Sequence, residues 1–214
     1  MVPASEAAEY EHTGLMITKI PDAITGVGPV RNWVLANFKE EIIVMADDDI
    51  TNIYCITGKR ARRIEDPETV YQVIAQAARC AKDLGTAAFG FNQAWDVRKY
   101  HPAEPFSLTG WAGGVVGVIG RELRFLEDQK FRVDVDFFLL NMLHRRIIWK
   151  DERFSFYQVR ETNRGGNSQF KTTEALNREI RKLQNRWGRY FKYTTTKRGE
   201  NTNTKVTRRQ VVNV

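Results

Sequence analysis

Residues 41–50 read EIIVMADDDI, and how this stretch folds decides the fold class. Ile42, Ile43, Val44 and Met45 form a short apolar run that leads through Ala46 into Asp47, Asp48 and Asp49. An apolar run of this length bounded by polar residues predicts a buried strand. A buried strand has no use for three carboxylates at its end, whereas an open α/β sheet binds ligands just outside the carboxyl ends of its strands. Alternate residues of extended backbone point the same way, so Asp47 and Asp49 are expected to face one site and Asp48 to point elsewhere. Two converging carboxylates repel, and a hard divalent cation removes that cost. Oxygen-only ligands suit magnesium or manganese rather than zinc. The plainer alternative is a solvated acidic turn capping the next helix.

The 214 residues suffice for one large domain or a domain with an appendage. No apolar run is long enough to span a bilayer, so no membrane partner is expected. The N-terminus lacks the charged start and apolar centre of a signal peptide. Cys55 and Cys80 have no metal-ligand spacing and read as buried free thiols, compatible with a cytoplasmic setting. The net charge of +7 is unevenly placed: residues 1–140 hold 15 Lys/Arg and 20 Asp/Glu, residues 141–214 hold 18 and 6. A strongly basic C-terminal part predicts a polyanionic partner there.

Several elements follow from local pattern. LMITKI (15–20) is a strand stopped by Pro21. Gly26-Val27-Gly28-Pro29 is a loop feeding a helix that begins near Arg31 and Asn32; it lacks the Walker lysine and the dinucleotide glycine spacing. Residues 50–57 predict a strand and 58–65 a basic turn. Asp66-Pro67 marks a helix start, with Asp as N-cap and Pro in the first turn, and Gly85 its end. Residues 87–91 and VVGVIG (115–120) predict buried strands. The glycines before the second, Gly113 and Gly114, either let a substrate approach the backbone or mark a bulge. A helix is expected from Phe137, with Asp136 as its N-cap; Asp134 has no such task. Residues 146–157 predict a strand pair or extended arm. Thr172 and Thr173 cap a helix running to about Gly188, whose Leu176, Ile180, Leu183 and Trp187 form one apolar stripe. This gives a core over residues 1–170 and a basic helix and tail over 171–214.

GVGPVRNWVLANFKEEIIVMADDDI, with WAGG, RVDVDFFLLNML and IIWKDERF further on, resembles the GT-A glycosyltransferases. Within them it is similar to the TET/JBP-associated glycosyltransferases, phage and eukaryotic relatives that include enzymes glycosylating hydroxymethylated bases in DNA. The resemblance covers about residues 15–195. It implies an α/β fold of the GT-A, Rossmann-like kind: a mixed sheet flanked by helices, with a basic C-terminal helix and arm. Such folds open with a strand and helix that grip the nucleotide base; VPASEAAEY (2–10) resembles the end of the second strand, so the opening strand and helix are expected to be absent.

The resemblance also implies roles. Asp49, with Asp47 and the late Asp151, would hold Mn2+ or Mg2+. Arg31, Asn32, Asp47, Asp48, Gly113 and Gly114 would contact the nucleotide-sugar. Asp134 would be the base that deprotonates the acceptor, and Asp136 would hold acceptor or sugar hydroxyls. The donor would be a UDP-sugar, most plausibly UDP-glucose, and the acceptor a 5-hydroxymethylcytosine-type base in DNA; a branch of the family thought to modify protein keeps a protein acceptor open. If the chain is phage-encoded, the setting would be the host cytoplasm. Arg178, Lys182, Arg186, Arg189, Lys197 and Arg198 would contact DNA phosphates, and Trp95, Tyr100 and Trp111 could stack an extruded base. Two other classes share these features: a metal-dependent phosphoryl or nucleotidyl transferase, and a DNA-binding module without catalysis.

Overall fold

The computed structural model describes residues 1–93, 96–158, 172–194 and 203–204. In chain order the elements are β1 (Val2–Pro3), α1 (Ala7–Tyr10), β2 (Lys19–Ile20), α2 (Val27–Asn37), β3 (Ile42–Ala46), β4 (Ile50–Thr57), β5 (Arg60–Ile64) and α3 (Pro67–Asp83). Then follow β6 (Ala88–Asn92), β7 (Phe106–Ser107), β8 (Val115–Ile119), α4 (Val133–Arg145), β9 (Trp149–Gln158), α5 (Thr173–Trp187), β10 (Tyr193–Thr194) and β11 (Asn203–Thr204). The chain is therefore of mixed α/β class. Its main sheet has the order β3-β8-β6-β9-β4-β5, with β7 added on β9. Among the described residues of this sheet only β6 and β9 pair in parallel; its other pairings are antiparallel.

Period-two alternation divides the side chains of the central strands between two helical layers. Phe89, Phe91 and Val115 join Val73, Ala77, Ala78 and Ala81 of α3 in one core. Ala88, Val116 and Val118 join Val34 and Leu35 of α2 and Phe137, Phe138 and Met142 of α4 in the other. Phe89, Phe91, Phe137 and Phe138 are at most 1% exposed, and burying each contributes roughly 2–3 kcal/mol. The small residues of α3 bring that helix close to the sheet. Its start is fixed by the Asp66 carboxylate accepting from Thr69 N at 2.9 Å, as the sequence predicts. Outside α4, a third cluster joins Val135 and Leu139 to Ile180, Leu183 and Trp187 of α5. Among the described residues no helix is long and apolar enough to cross a membrane.

Four expectations are corrected. VPASEAAEY is extended only at Val2–Pro3, where it pairs with β2 apart from the main sheet; Ala7–Tyr10 is helical. The basic segment after Gly58 is the edge strand β5, whose exposed Arg60, Arg62 and Arg63 discourage further strand pairing. Residues 149–158 form one ten-residue strand inside the sheet, because Trp149, Phe156 and Ser155 bury against both neighbours. Finally, α4 begins at Val133, with Arg132 in left-handed backbone before it. Asp136 is thus inside the first turn and caps nothing.

Candidate active site

One end of the sheet gathers the chemistry. Strands β3, β6 and β9 finish there, at Ala46, Asn92 and Gln158, with Asp47 and Gln93 just beyond the first two, while β8 and β4 begin there, at Val115 (just after Gly114) and Ile50. Asp47, Asp48 and Asp49 join β3, at one margin, to β4, four positions across. Four strand spacings come to about 19 Å, while the four residue steps from Ala46 to Ile50 reach at most about 14 Å. The sheet must curl to be tied by so short a connection. The register supplies the bend: Phe91 and Asn92 of β6 are consecutive, but their partners on β9 are Asp151 and Ser155, a bulge that turns the end of β9 toward β8. The aspartates cross this bent end of the sheet.

Asp47 and Asp49 converge as expected. Gln158 Nε2 donates to Asp47 Oδ2 at 3.0 Å and to Asp49 Oδ1 at 2.9 Å, while Asp48 is exposed and joins neither. The convergence comes from a turn, however, since extended backbone stops at Ala46. Asp47 is held on two further sides. Its N–H donates to Gly114 O at 2.8 Å, and its Oδ1 accepts from Arg31 Nη2 at 2.8 Å. Burial raises the Asp47 carboxyl above the usual aspartate range; the charge and hydrogen bond of Arg31 oppose that rise and Asp49 adds to it.

Arg31 is 7% exposed, and its guanidinium lies 5.2 Å from the centre of the Phe125 ring. It is therefore a fixed cation paired with Asp47, and its charge also acts on Asp134. Burial raises the Asp134 carboxyl, Arg31 pulls against that, and Asp47 adds to the rise. Asp134 is half-buried and sits over Gly113. A methyl group at Gly113 would lie 2.6 Å from Asp134 Oδ2, 2.5 Å from Gln93 Nε2 and 3.2 Å from the Trp111 ring. One at Gly114, where φ is +74°, would lie 2.9 Å from Gln158 Cδ. Neither glycine forms a bulge in β8: both precede it, and their bare backbones let Asp134 and Gln158 close in.

Other expected site residues lie elsewhere. Asn32 spends its amide on the loop before α4: Nδ2 donates to Phe125 O at 2.9 Å and Oδ1 accepts from Phe125 N at 2.8 Å, which secures the ring beneath Arg31. Asp151 is 2% exposed and paired with Arg153 at 2.7 Å. It stands seven residues before Gln158 on β9, on the far side of the bulge, and among the described residues no three acidic side chains gather as metal ligands, so it does not join Asp47 and Asp49. Asp136, 1% exposed, faces α5: its Oδ1 accepts from Trp187 Nε1 at 2.6 Å and pairs with Arg186 at 2.9 Å. Burial raises its carboxyl; Trp187 and Arg186 oppose that.

The basic residues of α5 divide. Lys182 Nζ donates to Asp128 O at 2.7 Å and pairs with Glu179 at 3.1 Å, so, like Arg186, it binds α5 to the core. Arg178, Arg181 and Arg189 are exposed, and Arg189 rests on Tyr190. Lys197, Arg198 and Trp95 lie outside the described residues. Trp111 packs between two core clusters.

Gln158 and Gln93 are the site residues that the sequence reading missed. Both are polar residues at the carboxyl ends of buried strands, the signal that singled out the aspartates.

Oxygen ligands that converge within 3.0 Å of a single nitrogen fit a hard divalent cation. Among the described residues no three acidic, histidine or cysteine side chains could hold one together, so Asp47 and Asp49 would share it with amide, water or substrate oxygens. The chain matches no protein-family model, and neither curated proteins nor solved structures include a significant match.

Proposed function

We propose that this chain is a metal-dependent glycosyltransferase of GT-A-like fold that moves glucose from a UDP-sugar to the hydroxyl of a hydroxymethylated base in DNA. One observation carries this reading: the converging pair Asp47 and Asp49, with Arg31 paired to Asp47, lies beside a separate half-buried carboxylate, Asp134, because adjacent glycines, Gly114 and Gly113, abut Gln158 and Asp134 respectively. Transfer from a sugar diphosphate needs both parts, one to receive the charge that grows on the leaving diphosphate and one to take the acceptor's proton. A magnesium or manganese ion held by Asp47 and Asp49 would neutralise charge on the leaving phosphates.

The chain's own residues supply the rest. Arg31, fixed by Asp47 and Phe125, adds positive charge without having to reorganise. Asp134 accepts the acceptor's proton; its raised affinity for protons makes it a stronger base than an exposed aspartate. One such base on the acceptor side suits direct displacement at the sugar carbon. Gly113 leaves the space above Asp134 free of side chain. Arg178 and Arg189, exposed on α5, would contact DNA phosphates.

The test is a calorimetric titration of UDP and UDP-glucose into the folded protein, with and without Mn2+. Metal-dependent binding that Asp49→Ala abolishes is expected, followed by transfer of labelled glucose to duplex DNA containing 5-hydroxymethylcytosine. Equal UDP affinity with and without metal would remove the cation site from the reading. Turnover of a nucleoside triphosphate with no sugar moved would replace glycosyl by phosphoryl or nucleotidyl transfer.

A further inference from the structure

Gln158 bridges Asp47 and Asp49, the two carboxylates that would hold the proposed cation. Both neighbours are carboxylates and only accept hydrogen bonds, so the amide must turn its NH2 end toward them. One nitrogen then serves both, at 3.0 and 2.9 Å. Turning the amide by half a rotation about its last bond would put Oε1 where Nε2 now stands, with no change in the backbone. That oxygen would be about 3.0 Å from each carboxylate oxygen. Neighbouring ligands of an octahedral magnesium or manganese ion, with bonds of about 2.1 Å, stand about 3.0 Å apart. The present nitrogen position therefore already has the spacing of a ligand position.

Two features make this turn possible and keep it in register. Gly114 has no side chain where a methyl group would press on the amide at 2.9 to 3.1 Å from its atoms. The β9–β4 ladder pairs Gln158 with Ile50, the residue that follows Asp49, so amide and carboxylate are set by the same rung.

We infer that Gln158 is the third protein ligand of the cation: its NH2 bridges Asp47 and Asp49 when no metal is bound, and its carbonyl oxygen binds the metal after the amide turns over. This rests on the metal-dependent reading above and adds to it a residue and a two-position mechanism. The bridge holds the two carboxylates together against their repulsion, so the ligand geometry is formed in advance.

The test is Mn2+ binding to the intact protein without nucleotide, followed by loss of the free-ion electron paramagnetic resonance signal. The parent is compared with Gln158→Leu, Gln158→Glu and Asp49→Ala, each first shown by circular dichroism to be folded. Gln158→Leu should weaken Mn2+ binding roughly tenfold or more, and Gln158→Glu, which keeps an oxygen and adds a charge, should tighten it by a similar factor. Binding by Gln158→Leu that equals or exceeds the parent's would overturn the inference while leaving the cation site in place, because Gln158 would then only block it. Should Gln158→Leu not fold, Gln158→Glu decides alone, and affinity no tighter than the parent's refutes the ligand role. If the parent binds no Mn2+, or binds it as well after Asp49→Ala, the metal-dependent reading itself fails, an outcome distinct from failure at Gln158.

Discussion

Gly113→Ala is the substitution most able to separate the stability of this fold from the chemistry proposed for it. The added methyl group would lie 2.6 Å from Asp134 Oδ2 and 2.5 Å from Gln93 Nε2. Ordinary contact begins at 3.4 Å, so the Asp134 carboxylate must retreat by about 0.8 Å, the smallest move that relieves the clash. Trp111 cannot give way instead, because its ring packs into two core clusters. Both pressed atoms are the ends of side chains, and the cost in stability should fall near the bottom of the range for overpacking, about 1 kcal/mol. For a domain of this size that lowers the melting temperature by roughly 2–4 °C. A catalytic group displaced by about 1 Å can cost on the order of 100-fold in turnover. The expected result is therefore a nearly normal melting curve, unchanged Mn2+-dependent UDP affinity, and transfer reduced about 100-fold. Wild-type turnover would refute Asp134 as the base. A loss of UDP affinity as large as the loss of turnover would show that Gly113 shapes the donor site instead.

Asp134→Asn should raise the melting temperature at neutral pH. Burial lifts the folded-state pKa of Asp134, so the charged form opposes folding once pH exceeds the unfolded value of about 3.9. The gain should shrink to nothing in melting curves taken below that pH, and a gain independent of pH would mean that charge is not its cause. Arg31→Ala removes a largely buried cation from Asp47 and should cost about 2–4 kcal/mol in urea unfolding; a loss below 0.5 kcal/mol, in line with an exposed pair, would contradict the packing on Phe125. Within α5, reversing the charge of Arg178 or Arg181 should leave melting unchanged and lower the salt dependence of DNA binding by about one unit of slope per charge removed. Reversing Lys182 should instead melt the helix from the core, because its amine holds the Asp128 carbonyl.

Those contrasts mark what the sequence makes legible. Strands and helices with strong local signals are placed within a residue or two: the Asp66-Pro67 start of α3, the Thr172 cap of α5, and the strands at 50–57, 88–92 and 115–119. The meeting of Asp47 and Asp49 is legible in outcome but not in cause: strand alternation predicts it, whereas a turn and the distant Gln158 produce it. The partners of Asp136 were not. Its carboxylate is taken by Trp187 and Arg186, some fifty residues on, and no local pattern reports which helix will pack on which. Asp151 misled for the same reason, since its partner Arg153 is close but its distance from Asp47 depends on a bulge in β9. The start of α4 was misplaced because Arg132 takes a left-handed conformation that an arginine rarely announces.

The connection between β3 and β4 links fold and site most tightly. Asp47, Asp48 and Asp49 must reach across four strand spacings, about 19 Å, with a reach of about 14 Å. The curl of the sheet is therefore held in part by this strap. Lengthening it should relax the curl and withdraw Asp47 or Asp49 from Gln158. A single glycine inserted between Asp48 and Asp49 adds up to about 3.5 Å, more than the difference between a 2.9 Å hydrogen bond and none. As a surface-loop insertion it should cost little in loop entropy, well under 1 kcal/mol. The expected variant is folded, binds Mn2+ far more weakly than the parent, and loses hydrogen-exchange protection at the amide of Asp47, which now donates to Gly114 O. Mn2+ affinity and Asp47 protection that both survive the insertion would mean that the ladders of β9, and not the strap, hold the sheet curled.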